Sequence, residues 1–301
     1  MNYLAVLYKV ICASFVGVMS HVRKSYQVKN GTGFFSVIMF SLLVSVVASV
    51  LGFCLGAKLK FEALTFTFAL AYAVISTVTA SLCILGTAVG NISVLMMSAT
   101  VGSLILPSLF GLITAPEENK LSAIKVVGFI LAIVCIVLNF VNKNPEKKGK
   151  TNLKFSLLCL TVFFTNGSAL IIYSLENKFC NDYPYFSFIT EIMVLSAVVL
   201  IIIAIVYLLI NKADAKTQCM NVFSFKSIIF VIVYAILFFA AELLAVKCAG
   251  LLPIVVNAPI SFAVPLLVTG LIDFIVYRVV PSKKNLLQMA IAMLCALCFI
   301  L

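Results

Sequence analysis

The sequence predicts an all-α integral membrane protein in which ten transmembrane helices form two inverted five-helix repeats. Hydrophobic residues make up 64% of the chain and charged residues only 10%, with a mean hydropathy of +1.23. Ten apolar runs follow one another, and one strongly polar segment divides them five and five. A water-soluble domain of this composition would expose far more apolar surface than soluble monomers tolerate. The predicted solvent of the helices is therefore lipid.

Each apolar run has the length that a transmembrane helix needs. About 20 residues at 1.5 Å per residue match a hydrocarbon core of about 30 Å. The first run contains Lys9 and has no basic region ahead of it, so we expect a retained helix rather than a cleaved signal peptide. The predicted spans are 3–21, 34–56, 64–85, 92–113, 121–141, 153–175, 186–210, 227–246, 254–277 and 286–301.

The arrangement of the spans suggests an internal duplication. The predicted units are a first repeat at 1–141, a basic linker at 142–152 and a second repeat at 153–301. An offset of 150 pairs Gly17 with Gly167, and an offset of 160 pairs Gly90 with Gly250 and continues without a gap through two spans. An odd number of spans in each unit forces the two copies to point in opposite directions, as in many secondary transporters.

The positive charge lies between the spans. Lys and Arg number 21 against 10 Asp and Glu, which gives +11, and the basic residues lie mainly in short polar connections. Anionic headgroups and the positive-inside rule produce this pattern, so we expect membrane lipids as partners and no nucleic acid. Most of these residues lie on the side of the central linker, which predicts a cytoplasmic linker and termini outside.

Signals for catalysis or metal binding are absent from the sequence. It has no Gly-rich phosphate loop, nucleophile elbow or H-E-x-x-H motif, and it has one histidine. Most of the ten cysteines lie in apolar runs, where a free Cys behaves as a small hydrophobe. Cys295 and Cys298 form a C-x-x-C without a second pair of ligands nearby. We therefore expect neither an enzyme nor a bound cofactor or metal.

Two carboxylates within apolar runs are the first candidates for function. Glu191 and Glu242 each lie several residues inside a run, where a charged carboxylate costs roughly 2.5–3.5 kcal/mol unless it is protonated, paired or facing water. We interpret both as proton-coupling or cation-binding groups. The alternatives are that Glu191 reaches the interface from a helix end and that Glu242 pairs with Lys247, about one turn away.

His21 is a third candidate for proton coupling. Ser14, Gly17 and His21 recur at helical spacing and share one face of the first span. Histidine titrates near neutral pH and can relay protons. Because Arg23 and Lys24 lie close to it at the end of the span, a solvated histidine is the alternative.

Four polar residues are the candidates for substrate binding. Asn166 and Tyr173 are seven residues apart, which places them on one face of the sixth span. An Asn in lipid requires either a partner in another helix or a ligand. Asn257 lies between two prolines that interrupt helical hydrogen bonding, and the counterpart of this position is adjacent to Ser98. We expect these four residues to face a shared cavity.

The penultimate and last spans of each half carry a recognisable pattern. The first half has Ile105 in the penultimate span, Glu117 in the turn and Gly128 in the last span. The equivalent positions of the second half hold Pro265, Tyr277 and Gln288. This pattern, with the span number and the duplication, resembles the ten-span EamA-like branch of the drug/metabolite transporter superfamily. The resemblance covers nearly the whole chain. It implies a midplane cavity enclosed by spans 1, 3, 4, 6, 8 and 9, and it places both termini in the cytoplasm, opposite to the charge count.

The expected function is that of a secondary transporter. Its substrate would be a small polar or amphipathic metabolite such as an amino acid, amine or drug-like cation, moved by alternating access, with proton coupling left open. We expect a monomer or homodimer that is a multi-pass protein of the cell membrane. A flippase for lipid-linked precursors is an alternative that requires a lateral opening between spans. A non-transporting membrane enzyme or scaffold is a second alternative, which would move no solute.

Overall fold

A computed structural model describes residues 3–30, 33–89, 92–117, 122–140, 153–180, 183–210, 224–278 and 283–300. These residues form ten α-helices and no strand. The helices are α1 (Tyr3–Asn30), α2 (Phe34–Cys54), α3 (Ala63–Val89), α4 (Ile92–Thr114), α5 (Ala123–Phe140), α6 (Leu153–Phe179), α7 (Tyr185–Ile210), α8 (Phe225–Leu251), α9 (Ile254–Ile275) and α10 (Lys283–Ile300). Each corresponds to one predicted run, although α1 continues to Asn30 instead of ending at His21. The predicted linker, 142–152, lies outside the described residues.

Six of these helices are long and apolar enough to cross a membrane by length and composition: α1, α2, α6, α7, α8 and α9. The other four contain shorter apolar stretches within the described residues. Many large apolar side chains on the outer surfaces are exposed, as they are in a protein whose surroundings are lipid. The predicted all-α class is confirmed for the described residues, and the apolar helices indicate a membrane protein.

Helix packing shows a regular pattern when each of the first five helices is compared with the helix five positions later, here called its counterpart. Helix α1 packs against α8 and α9, and α6 packs in the same way against α3 and α4. Likewise α3 packs against α7, and α8 packs against α2. Two helices also pack directly against their own counterparts: α2 packs against α7, and α5 packs against α10.

The counterpart helices α2 and α7 run antiparallel. At one end the ring of Phe35 lies 5.7 Å from that of Tyr207, and at the other end Gly52 lies directly against Thr190. Near the start of α5, the ring of Phe129 lies 4.8 Å from that of Phe299 at the end of α10. In both pairs the beginning of one helix therefore meets the end of its counterpart.

Gly17 and Gly167 each permit a close approach between two helices. A Cβ atom at Gly17 would lie 2.8 Å from the side chain of Val268 on α9. A Cβ atom at Gly167 would lie 2.5 Å from the carbonyl oxygen of Gly102 on α4. Small residues let membrane helices pack with their backbones in contact. The glycines that the 150-residue offset pairs thus occupy comparable positions in α1 and α6.

Candidate functional site

A cavity of about 200 Å³ lies between α1, α2, α3, α7 and α8. It is situated towards the end of the bundle where α1 finishes and α2 begins. Its hydroxyl groups come from Ser41, Ser45, Ser76, Thr77 and Ser196, and its aromatic walls from Phe40, Tyr72, Tyr234 and Phe238. Arg23 and Glu242 are the charged residues of the described lining. A small number of polar groups on apolar and aromatic walls is typical of a small-molecule site.

Glu242 is held in the cavity wall by two tyrosines. The Tyr72 hydroxyl lies 3.1 Å and 3.2 Å from the two carboxylate oxygens, and the Tyr173 hydroxyl donates to Oε2. The two tyrosine rings are stacked, with centroids 4.6 Å apart and planes 14° apart, and both side chains are buried. Three helices therefore fix one carboxylate. Hydrogen bonds that reach a charged acceptor are stronger than neutral ones.

Helix α1 approaches Glu242 from the other side. The Cys12 thiol donates to the carbonyl of the residue before Glu242 at 3.2 Å, and the buried Lys9 lies one turn earlier, within electrostatic range of Glu242. The predicted pairing of Glu242 with Lys247 is wrong, because no ion pair joins them and the Lys247 ammonium lies 4.7 Å from the centroid of the Tyr8 ring.

Glu191 lies in a different setting. It is near the end of α2, whereas the cavity lies towards the beginning of α2. Its side chain is fully buried, so the predicted reach to the interface is wrong. Glu191 belongs to a set of three hydrogen bonds, here named the latch, which tie the α2–α3 connection to the start of α7. The latch bonds run from Lys58 N to Ser187 Oγ (3.1 Å), from Lys60 N to Tyr183 Oη (3.3 Å) and from Phe61 N to Glu191 Oε1 (3.2 Å).

The latch stabilises a backbone conformation that is unfavourable in isolation. Phe61 has φ of 49°, in the left-handed region that bulky residues rarely adopt. Burial raises the pKa of Tyr183 to about 12, so its hydroxyl is neutral at physiological pH. The observed contacts make Glu191 an acceptor for the backbone of a connection. Its predicted part in proton coupling stays a prediction.

His21 lies in the interface between α1 and α9. Its side chain is 7% exposed, so the solvated alternative is wrong. Nε2 lies 3.3 Å from the Thr269 carbonyl oxygen, Nδ1 lies 3.9 Å from Asp273 Oδ1, and the ring stacks on Tyr277 at 5.5 Å. The described lining of the cavity does not include His21.

The predicted substrate-binding residues are dispersed, with the exception of Tyr173. Asn166 Nδ2 donates to the Ala99 carbonyl on α4 at 2.8 Å, which identifies another helix as its partner. Ser98 is half-buried and directly precedes Ala99. Asn257 is fully buried on α9, and neither of its amide atoms has a hydrogen-bond partner in the described part of the chain. Tyr173 and Glu242 are thus the predicted site residues that the structure brings into contact; Glu242 lines the cavity, whereas Tyr173 is not part of the described lining.

Several polar residues in and around the cavity wall were not predicted from the sequence. Ser41 and Ser45 are four residues apart, which is a sequence signal for one polar helix face. Tyr72 offered only a weak signal, since a buried tyrosine hydroxyl in an apolar run requires some partner. Glu176, one turn after Tyr173, is 1% exposed, and neither carboxylate oxygen has a hydrogen-bond partner among the described residues.

Comparisons with known proteins define the fold and no more. No protein-family model matches the chain, and no curated protein matches it. Among solved structures 28 chains match. One of them, described only as the crystal structure of a protein, superimposes with a TM-score of 0.70 at 12% identity, over 98% of this chain and 96% of its own. At that identity the likeness shows a shared helical fold alone.

Proposed function

We propose that this chain is a multi-pass carrier of the cell membrane, related to the drug/metabolite transporters, which moves a small polar or amphipathic metabolite by alternating access. The observation that carries the proposal is the cavity with Glu242 in its wall. Tyrosine hydroxyls hold this carboxylate, and no Lys, Arg or His of the described chain lies within 4.0 Å of it. Glu242 is therefore available to a cationic group or a proton.

The packing scheme supports ten spans in two inverted repeats. Exchanging each helix for the one five positions later reproduces the main contacts of α1 and α6. The counterparts α2 and α7 run antiparallel, as a two-fold axis in the membrane plane requires. Repeats of parallel sense would give counterpart helices the same direction. The matching close approaches at Gly17 and Gly167 favour the same relation.

The difference between the two ends of the bundle supports alternating access. The cavity lies towards the end where α2 begins, whereas the latch joins α7 to the connection at the end where α2 finishes. A carrier in one of its two states has room for substrate on one side and a closed contact on the other. Opening the second side requires the latch bonds to break or move with α7.

Transport can be tested with the purified chain in liposomes loaded with the pH-sensitive dye pyranine. A panel of amines and amino acids is applied outside, and the internal pH is followed. We expect at least one compound to drive a proton flux, and Glu242→Gln to abolish it because the carboxylate is lost. Glu62→Gln, an exposed carboxylate in the α2–α3 connection, is the matched control.

Two results would contradict the proposal. One is an unchanged flux in Glu242→Gln. The other is the absence of any movement of the panel compounds, measured directly with radiolabelled forms in both directions across the same liposomes.

A further inference from the structure

We propose that the cavity binds an elongated zwitterion, whose ammonium group pairs with Glu242 and whose acidic group pairs with Arg23. This inference rests on the proposed function and specifies the class of its substrate. It identifies Arg23, which the charge pattern alone would assign to the membrane surface, as a residue that determines specificity.

Two opposite charges share one small cavity without pairing. Arg23 on α1 and Glu242 on α8 both contribute to the lining. Neither lies within 4.0 Å of an oppositely charged group among the described residues. A charge in a partly buried, apolar cavity is costly unless a counter-charge compensates it. A ligand with a charge at each end satisfies both groups at once.

The two charges are separated along the axis of α8. The Cys12 thiol bonds to the Ala241 carbonyl, and the Cys248 thiol bonds to the Ala5 carbonyl, so α1 and α8 run antiparallel. Arg23 therefore lies towards the start of α8, within electrostatic range of Tyr234. Tyr234 precedes Glu242 by eight residues, or about 12 Å along the helix axis. An α-amino acid, with both charges on one carbon, is too short to reach both groups. An ω-amino acid with several methylene groups has the required length.

The wall between the charges suits such a chain. Phe238 lies midway between Tyr234 and Glu242 on α8 and faces the cavity, so its ring can pack against methylene groups. The aromatic ring of Tyr72, whose hydroxyl bonds Glu242, can also contact the ammonium end, because a cation is attracted to the face of an aromatic ring. Lys9, the other cation near Glu242, is not part of the described lining.

The test uses a length series of named probes on the purified full-length chain in detergent. The probes are glycine, β-alanine, γ-aminobutyrate, δ-aminovalerate and ε-aminocaproate, each compared with the alkylamine and the alkyl carboxylate of the same length. Affinity is obtained from the ligand dependence of thermal unfolding, since a ligand that binds only the folded protein stabilises it. We expect affinity to rise with length, and the best ω-amino acid to bind about tenfold more tightly than its alkylamine.

Variants at position 23 then test whether Arg23 binds the acidic group of the probe. Arg23→Gln should remove the advantage of the zwitterion and leave the alkylamine affinity unchanged, and Arg23→Lys should keep part of that advantage. Lys24→Gln is the matched control, because Lys24 is the adjacent basic residue, is exposed and lies outside the cavity lining. If Arg23→Gln does not fold, the length series on the unmodified chain still tests whether the cavity prefers an elongated zwitterion.

Equal affinities for zwitterion and alkylamine at every length would overturn the inference, as would a zwitterion preference that persists in Arg23→Gln. Either result would leave the carrier proposal standing if the liposomes still move amines. Failure of every probe to bind would also overturn the inference, and the radiolabel flux assay would then decide separately on transport.

Discussion

Glu191 and Glu242 are two glutamates in similar sequence contexts, yet the fold gives them different contacts. Each lies inside an apolar run. Glu191 is fully buried and accepts a backbone hydrogen bond from the α2–α3 connection. Glu242 is half-buried in a cavity wall and accepts hydrogen bonds from two tyrosine side chains.

The difference lies in what else each carboxylate can bind. The Phe61 N–H that donates to Glu191 cannot be released without leaving both the N–H and the carboxylate oxygen unpaired. An unpaired polar group costs free energy when it is buried. Glu242 borders a space of about 200 Å³ that a ligand can enter. An intramembrane carboxylate is therefore a structural anchor when a backbone donor meets it, and a candidate binding group when it borders a cavity.

Glu242→Gln should have the largest effect on function. The substitution removes the charge and keeps the shape, so we expect at least about a tenfold loss of affinity for a cationic substrate while the thermal midpoint stays close to that of the parent. When substrate movement is followed with radiolabelled compounds in the liposomes, its pH dependence should disappear in this variant and persist in Glu191→Gln. An identical, unchanged pH dependence in both variants would remove the proposed coupling role.

Glu191→Ala should show the converse result, with lower stability and unchanged binding. It leaves the Phe61 N–H unpaired and opens a small void, so the free energy of unfolding should fall by about 1–3 kcal/mol. Thermal unfolding in detergent measures the loss. Glu62→Ala, which changes an exposed carboxylate of the same connection, should have little effect. A loss of ligand affinity as large as that of Glu242→Gln would make Glu191 part of the binding site.

Tyr72→Phe and Tyr173→Phe should have intermediate effects on affinity. Each removes one hydroxyl donor to Glu242 and keeps the stacked rings, so the carboxylate is less well positioned for a ligand. We expect a loss of affinity of about threefold to tenfold in each variant. Tyr207→Phe, whose ring packs on Phe35 away from the cavity, is the control. Unchanged affinity in both variants would separate the tyrosines from binding.

Ser187→Ala should have the smallest effect. It removes the acceptor for Lys58 N; Ser187 is buried but Lys58 is exposed, so we expect water to reach the freed N–H. The expected change in the free energy of unfolding is about 0.5–1.5 kcal/mol, again with unchanged affinity. A change as large as that of Glu191→Ala would show that the three latch bonds act cooperatively, which a double substitution can test.

Much of the helical structure was predictable because its signals are local. Apolar run length and the polar connections gave the starts of α2, α4, α6 and α9 as the structure has them. The end of α1 was not predicted. The basic residues after His21 break the apolar pattern, but they are good helix formers, and the helix continues to Asn30.

The sequence by itself determined the membrane class, the positions of the helices and the two carboxylates most worth testing. The reason is that a helix in lipid requires a continuous run of apolar residues, in which a charged residue is conspicuous. Only the tertiary structure decided that Tyr72 and Tyr173 meet Glu242 and that Phe61 meets Glu191. These partners are separated along the chain by 170, 69 and 130 residues. Hydropathy and helical periodicity report one helix at a time, whereas which helices become neighbours depends on packing across the whole bundle.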